Sequence, residues 1–210
     1  MSRCAHAQEL RLPPLPACIQ ARTGQGRYAP KTRGADCPHS DREHIDSIYA
    51  SDLKRAYNTS LPTARAHGIE VIKRKELREV NAGNWENKLF TELIEQYPES
   101  YGNTWLNNIG MAHPDGGESV EELRLRVCAE IERIARANDG KTVAIFTHAT
   151  PIRAFCATVH SLIGPRMHEL AWVSNATLTR VKFEDGKFTL TDYGNEEHLG
   201  SLITRLPKTV

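Results

Sequence analysis

The stretch that most constrains this chain is residues 141–153, KTVAIFTHATPIR. Val143, Ala144, Ile145 and Phe146 form a short apolar run, with Gly140 and Lys141 ahead of it. Such a run, bounded by a turn signal, suits a strand buried on both faces. Thr147, His148, Ala149 and Thr150 follow at once. Pro151 then stands where a first helical residue belongs, and Ile152, Phe155, Val159 and Ile163 give a helical apolar stripe. His148 is therefore expected at the carboxyl end of a strand, just ahead of a helix N-terminus. In open α/β sheets ligands bind at that edge, and helix N-termini attract anions. A histidine that merely caps a strand fits the same position, and position alone does not choose between the two.

The neighbouring segments extend the pattern. Ile45, Ile48 and Tyr49 predict a short strand, with Ser51 and Asp52 as capping residues for a helix through Leu53, Ala56, Leu61 and Ala64. Gly68 reads as the glycine that ends it, and Ile69, Val71 and Ile72 as the next strand. Residues 77–86, LREVNAGNWE, have little periodicity and read as a loop. Residues 89–97 predict a helix with Leu89, Phe90, Leu93 and Ile94 inward, stopped by Pro98. Ser119 and Glu122 form a capping box, and Val120, Leu123, Val127, Ile131 and Ile134 carry the helix onward. From Ala176 the period falls to two, with Asp185-Gly186 as a hairpin turn. Strands alternating with helices predict a three-layer α/β/α domain with a mostly parallel central sheet and a C-terminal hairpin.

Bulk properties narrow the function. A net charge of +1 argues against nucleic acid as a general partner. No apolar stretch approaches the ~20 residues of a membrane span, and the N-terminus lacks an apolar signal-type core, so a cytoplasmic protein without membrane association is expected. The five cysteines contain no CxxC pair and read as reduced thiols. A zinc module using His6 and His39 near Cys4, Cys18 and Cys37 is a further reading that the spacing does not favour.

Three pieces then join. Ser51-Asp52-Leu53-Lys54-Arg55-Ala56 stands at a strand-to-helix junction, Leu77-Arg78-Glu79 opens the loop that continues to Trp85, and Thr147-His148-Ala149 ends the strand described first. With the intervening GGES at 116–119, this order resembles the histidine phosphatase superfamily, the phosphoglycerate mutase-like enzymes, over residues 45–198. The resemblance implies phosphoryl transfer through a phosphohistidine: a phosphomonoester hydrolase or a mutase-type isomerase, acting on a small phosphorylated metabolite without a cofactor or metal. It implies that Arg55 holds the phosphate, that Glu79 is the general acid and then base, and that His148 donates to the transferring group. The N–H of Ala149 adds to the cradle. Taken singly, Arg55 and Glu79 also read as solvated side chains, Trp85 as a core anchor, Arg153 as structural, and His168 and His198 as surface residues.

Residues 1–43 read differently from 44–210, which carry the phosphatase-like domain. Five of eleven prolines lie before residue 40, Tyr28 is the only aromatic there, and no run reads as a strand, so an irregular or disordered segment is expected. The family's Arg-His-Gly nucleophile motif occurs nowhere in the sequence, and His6, flanked by Ala5 and Ala7, does not match it. Codons permitted for residues 23–35, read one nucleotide later, can spell Gln-Gly-Arg-Asp-Asp-Met-Pro-Leu, so part of the segment is a candidate for out-of-frame translation. The missing motif keeps open an inactive relative that at most binds phosphorylated ligands. Substrate identity and oligomeric state are not readable.

Overall fold

The computed structural model describes residues 44–202 and, as backbone, the strand Pro16–Thr23. Its strands are β1 (Pro16–Thr23), β2 (Ser47–Ser51), β3 (Val71–Arg74), β4 (Thr142–His148), β5 (Leu178–Glu184) and β6 (Lys187–Asn195). The helices are α1 (Lys54–His67), α2 (Phe90–Gln96), α3 (Val120–Ala137) and α4 (Ala149–Val159). One sheet runs in the order β3-β2-β4-β1-β5-β6. β3, β2 and β4 are mutually parallel, and β5 and β6 form an antiparallel hairpin.

The apolar run in β4 explains the layering. Side chains alternate across a strand, so both faces of this run must be covered. Ala144 and Phe146 pack with Ile48, Ala50 and Ala64 on the α1 side. Val143 and Ile145 pack on the other side with Leu123, Val127 and Ile131 of α3 and Ile152 and Phe155 of α4. Each fully buried Ile or Val there contributes roughly 1.5–3 kcal/mol of transfer free energy. The sheet with helices on both faces is the expected architecture.

Local signals hold in several places. Gly68 ends α1 in the left-handed conformation (φ 66°), and Ser119 accepts the Glu122 N–H in a complete capping box. Asp185 and Gly186 both have positive φ, 50° and 75°, as a two-residue hairpin turn requires.

Other expectations are corrected. A strand stands within 1–43 where none was expected: β1 lies between β4 and β5, antiparallel to the first and parallel to the second. Such a strand bonds to two neighbours, so pairing rather than local composition decides it, and Pro16 takes the first position, where a missing N–H is tolerated. α1 begins after Leu53 with no side-chain cap. Ser51 is instead bonded to His148, and Asp52 to Arg78. α4 ends at Val159, leaving Ile163 exposed, and Ile94 faces outward while Leu93 is buried. Beyond Pro98 the chain stays helical, as a π-helix over Pro98–Trp105.

Candidate active site

β2 and β4 are parallel neighbours, so their carboxyl ends coincide. Ser51 ends β2, His148 ends β4, and Arg55 lies in the first turn of α1. Arg55 Nε donates to His148 Nδ1 at 3.1 Å, and His148 Nε2 lies 2.9 Å from Ser51 Oγ. A guanidinium N–H can only donate, so Nδ1 is the acceptor. With Nδ1 taken up by Arg55, Nε2 is the ring nitrogen that faces Ser51 Oγ. The ring is fully buried, and it forms the N-cap of α4. Ala149 and Thr150 follow it as the first helical residues, where N–H groups lack intrahelical partners.

Glu79 arrives from the opposite direction, on the loop after a short 3₁₀ turn at Lys75–Leu77. Its carboxylate accepts the Val80 N–H at 2.9 Å and also the hydroxyl and N–H of Thr150. Burial raises its pKa above the ordinary glutamate value, and these hydrogen bonds and the Arg55 charge only partly offset that. Thr147 ties the two sides together, donating its hydroxyl to the Leu77 carbonyl at 2.7 Å. Asp52 and Arg78 form a bidentate pair, both contacts at 2.6 Å, which holds the Asp52 carboxyl below its usual range.

Arg55, Glu79 and His148, far apart in sequence, thus meet at one edge of the sheet, with Ala149 directly after His148. Ser51 and Thr150 were missed as members, although Ser51 opens one named motif and Thr150 directly follows another. Trp85 is the centre of an aromatic cluster with Tyr97, Tyr101 and Trp105, at ring distances of 5.3–6.0 Å. Arg153 is buried against Trp172 (4.4 Å) and donates to the His168 carbonyl. His168 and His198 are exposed. His6 and His39 lie outside the described residues. Among the described residues, no three His, Cys, Asp or Glu cluster to hold a metal, and no helix is long and apolar enough to cross a membrane.

An open α/β sheet with arginine, histidine and glutamate at its carboxyl edge defines a class, and comparison gives that class its family. The model of the histidine phosphatase superfamily (branch 1) matches residues 37–196, and the chain belongs to that superfamily. It is 31% identical over 173 residues to phosphoserine phosphatase 1 of Hydrogenobacter thermophilus, covering 80% of this chain and 79% of the relative. It is 29% identical over 157 residues to the metal-independent phosphoserine phosphatase of Arabidopsis thaliana, covering 74% and 64% of the two chains. Among solved structures, Bacillus stearothermophilus YhfR superposes with a TM-score of 0.72 at 18% identity, covering 87% of this chain and 99% of that one. The mycobacterial glucosyl-3-phosphoglycerate phosphatase Rv2419c superposes with a TM-score of 0.67 at 19% identity, over 87% of this chain and 99% of that one.

Proposed function

We propose that this chain hydrolyses phosphate monoesters of small metabolites, with Arg55, Glu79, His148 and Ala149 as the working groups. The observation that carries the reading is the meeting of those four at the carboxyl edge of β2 and β4, Arg55 Nε resting on His148 Nδ1. An arriving phosphate competes for the Arg55 fork, whose paired N–H groups match two phosphate oxygens. Release of Nδ1 lets His148 take a proton there and donate to the transferring group. The Ala149 N–H at the α4 N-terminus supplies a further donor. Glu79, kept protonated to higher pH by burial, gives its proton to the leaving alcohol as the ester P–O bond breaks, while water attacking in line from the opposite side takes the phosphoryl group and releases its proton to solvent. Hydrolysis is preferred to a mutase reaction because two relatives named above are phosphoserine phosphatases and neighbours in the solved structures include a glucosyl-3-phosphoglycerate phosphatase. Phosphoserine and other small phosphate monoesters are therefore the substrates to test first.

A second reading has one observation in its favour: no Arg-His-Gly occurs in the sequence. On that reading the same groups bind phosphate without turning over an ester. Hydrolysis of p-nitrophenyl phosphate by the wild type and by His148→Ala separates the two. Turnover at least ~100-fold above the variant supports the hydrolase. Equal background rates, with phosphate binding still detectable by calorimetry, leave the binding protein.

A further inference from the structure

We infer that Arg126 and Glu118 are the positioning pair that sets the Glu79 carboxyl, an inference that rests on Glu79 being the general acid. Glu79 sits on a loop outside any long helix or strand; its carboxylate is bonded to the Val80 N–H and to Thr150, and the backbone that carries it is anchored from α3. Arg126, on α3, uses all five of its N–H groups there. Nε and Nη2 clamp the Glu118 carboxylate at 2.5 and 2.7 Å. Nη1 donates to the carbonyls of Glu76 (2.7 Å) and Arg78 (2.9 Å), and Nη2 also to the carbonyl of Glu79 itself (3.1 Å). Glu118 grips the far side of the same loop: its N–H donates to the Asn81 carbonyl at 2.8 Å, and its carboxylate accepts the Asn81 N–H at 3.4 Å.

The clamp therefore bonds to the backbone on both sides of Glu79. A guanidinium is the one side chain with five donors in a fixed plane, and a lysine at this position offers three donors and no fork. Gly117, just before Glu118, and Gly83 on the facing loop serve the same contact. A Cβ on Gly117 would collide with the Asn81 carbonyl, and one on Gly83 with the Asp115 carbonyl. The GGES segment is thus packed backbone to backbone against the loop that carries Glu79. Arg126 touches no reacting atom and acts only through where it holds that carboxyl.

Arg126→Lys tests this in the full chain, with Glu118→Gln as a milder second variant that keeps the side-chain volume. The first measurement is the titration of Glu79 by carbon NMR of glutamate-labelled protein, its signal assigned with Glu79→Gln. In both variants the Glu79 titration is expected to move down toward an ordinary glutamate, as the loosened loop lets water reach the carboxyl. The second is hydrolysis of methyl phosphate against p-nitrophenyl phosphate. A poor leaving group needs the acid and a good one does not, so Arg126→Lys should lose at least ~10-fold more on the methyl ester. An unchanged Glu79 titration overturns the inference. So do equal losses on both esters in Arg126→Lys when Glu79→Gln loses them unequally, since the clamp is then only structural. Equal losses in Glu79→Gln as well remove the acid role from Glu79; the titration, which needs no turnover, then decides the positioning by itself.

Discussion

His148 and Glu79 reach the same site by opposite routes. His148 ends a strand whose neighbours are buried on both faces, and its place follows from the packing of β4 against α1, α3 and α4. Glu79 stands on an irregular loop that is held from outside, by Arg126, Glu118, Thr147 and Thr150. The backbone of the first is placed by non-directional burial, with Arg55 and Ser51 then bonding its ring; the backbone of the second is placed by directional hydrogen bonds from other elements. The difference predicts how each fails: damage to the core lowers the stability of the whole molecule, whereas damage to the clamp misplaces one carboxyl and leaves the fold standing.

Four experiments break or sharpen this contrast. His148→Ala has the largest expected effect, about 10²–10³-fold in kcat on p-nitrophenyl phosphate, with Arg55 freed from the ring. Glu79→Gln comes next, at about 10²-fold or more on alkyl phosphates and less on aryl ones. Its stability effect has a definite sign. A carboxyl whose folded pKa is raised binds its proton more tightly folded than unfolded. The cost of burying its charge is absent below the unfolded value and is felt in full above the folded one. Urea unfolding should therefore show Glu79→Gln gaining on the wild type as pH rises above the ordinary glutamate range.

Gly117→Ala is smaller and more local. The added methyl meets the Asn81 carbonyl, and overpacking of this kind costs about 1–3 kcal/mol. The imidazole nitrogen signals of His148 should stay in place while the Glu79 titration moves; movement of both would dissolve the contrast between the two routes. Asp52→Asn has the smallest effect. Arg78 holds the Asp52 carboxyl below its ordinary pKa, so the pair contributes stability above the unfolded value and loses it as pH falls through the folded one. The stability difference between Asp52→Asn and the wild type should shrink below about pH 4, which acid unfolding curves would show.

Much of the contrast is also a contrast in legibility. The route to His148 is written locally: an apolar run, a histidine, a proline and a helical stripe within about twenty residues. The hairpin at Asp185-Gly186 and the box at Ser119 and Glu122 are local in the same sense, each a few residues whose conformations their own chemistry selects. Glu79 was found by its place in a motif order, and nothing in its own segment says how it is held. Arg126 is 47 residues away along the chain from the carbonyl it grips. Ser51 reads as a helix cap until β4 brings His148 within 2.9 Å of it. β1 was missed for a related reason, since its bonds come from two strands that the segment itself does not name.

By itself, the order of residues determined the layered α/β plan and the family, and its motifs named Arg55, Glu79 and His148 as candidates for the site. The plan depends on burial patterns and turn preferences that act over a few neighbouring positions; the family and the candidates depend on the order of the motifs. The tertiary structure alone decided the partners of the His148 ring, the raised pKa of Glu79 and the clamp around it. Each of these depends on a hydrogen bond or a loss of water between groups that only folding brings within reach, and such contacts leave no periodic trace in the chain.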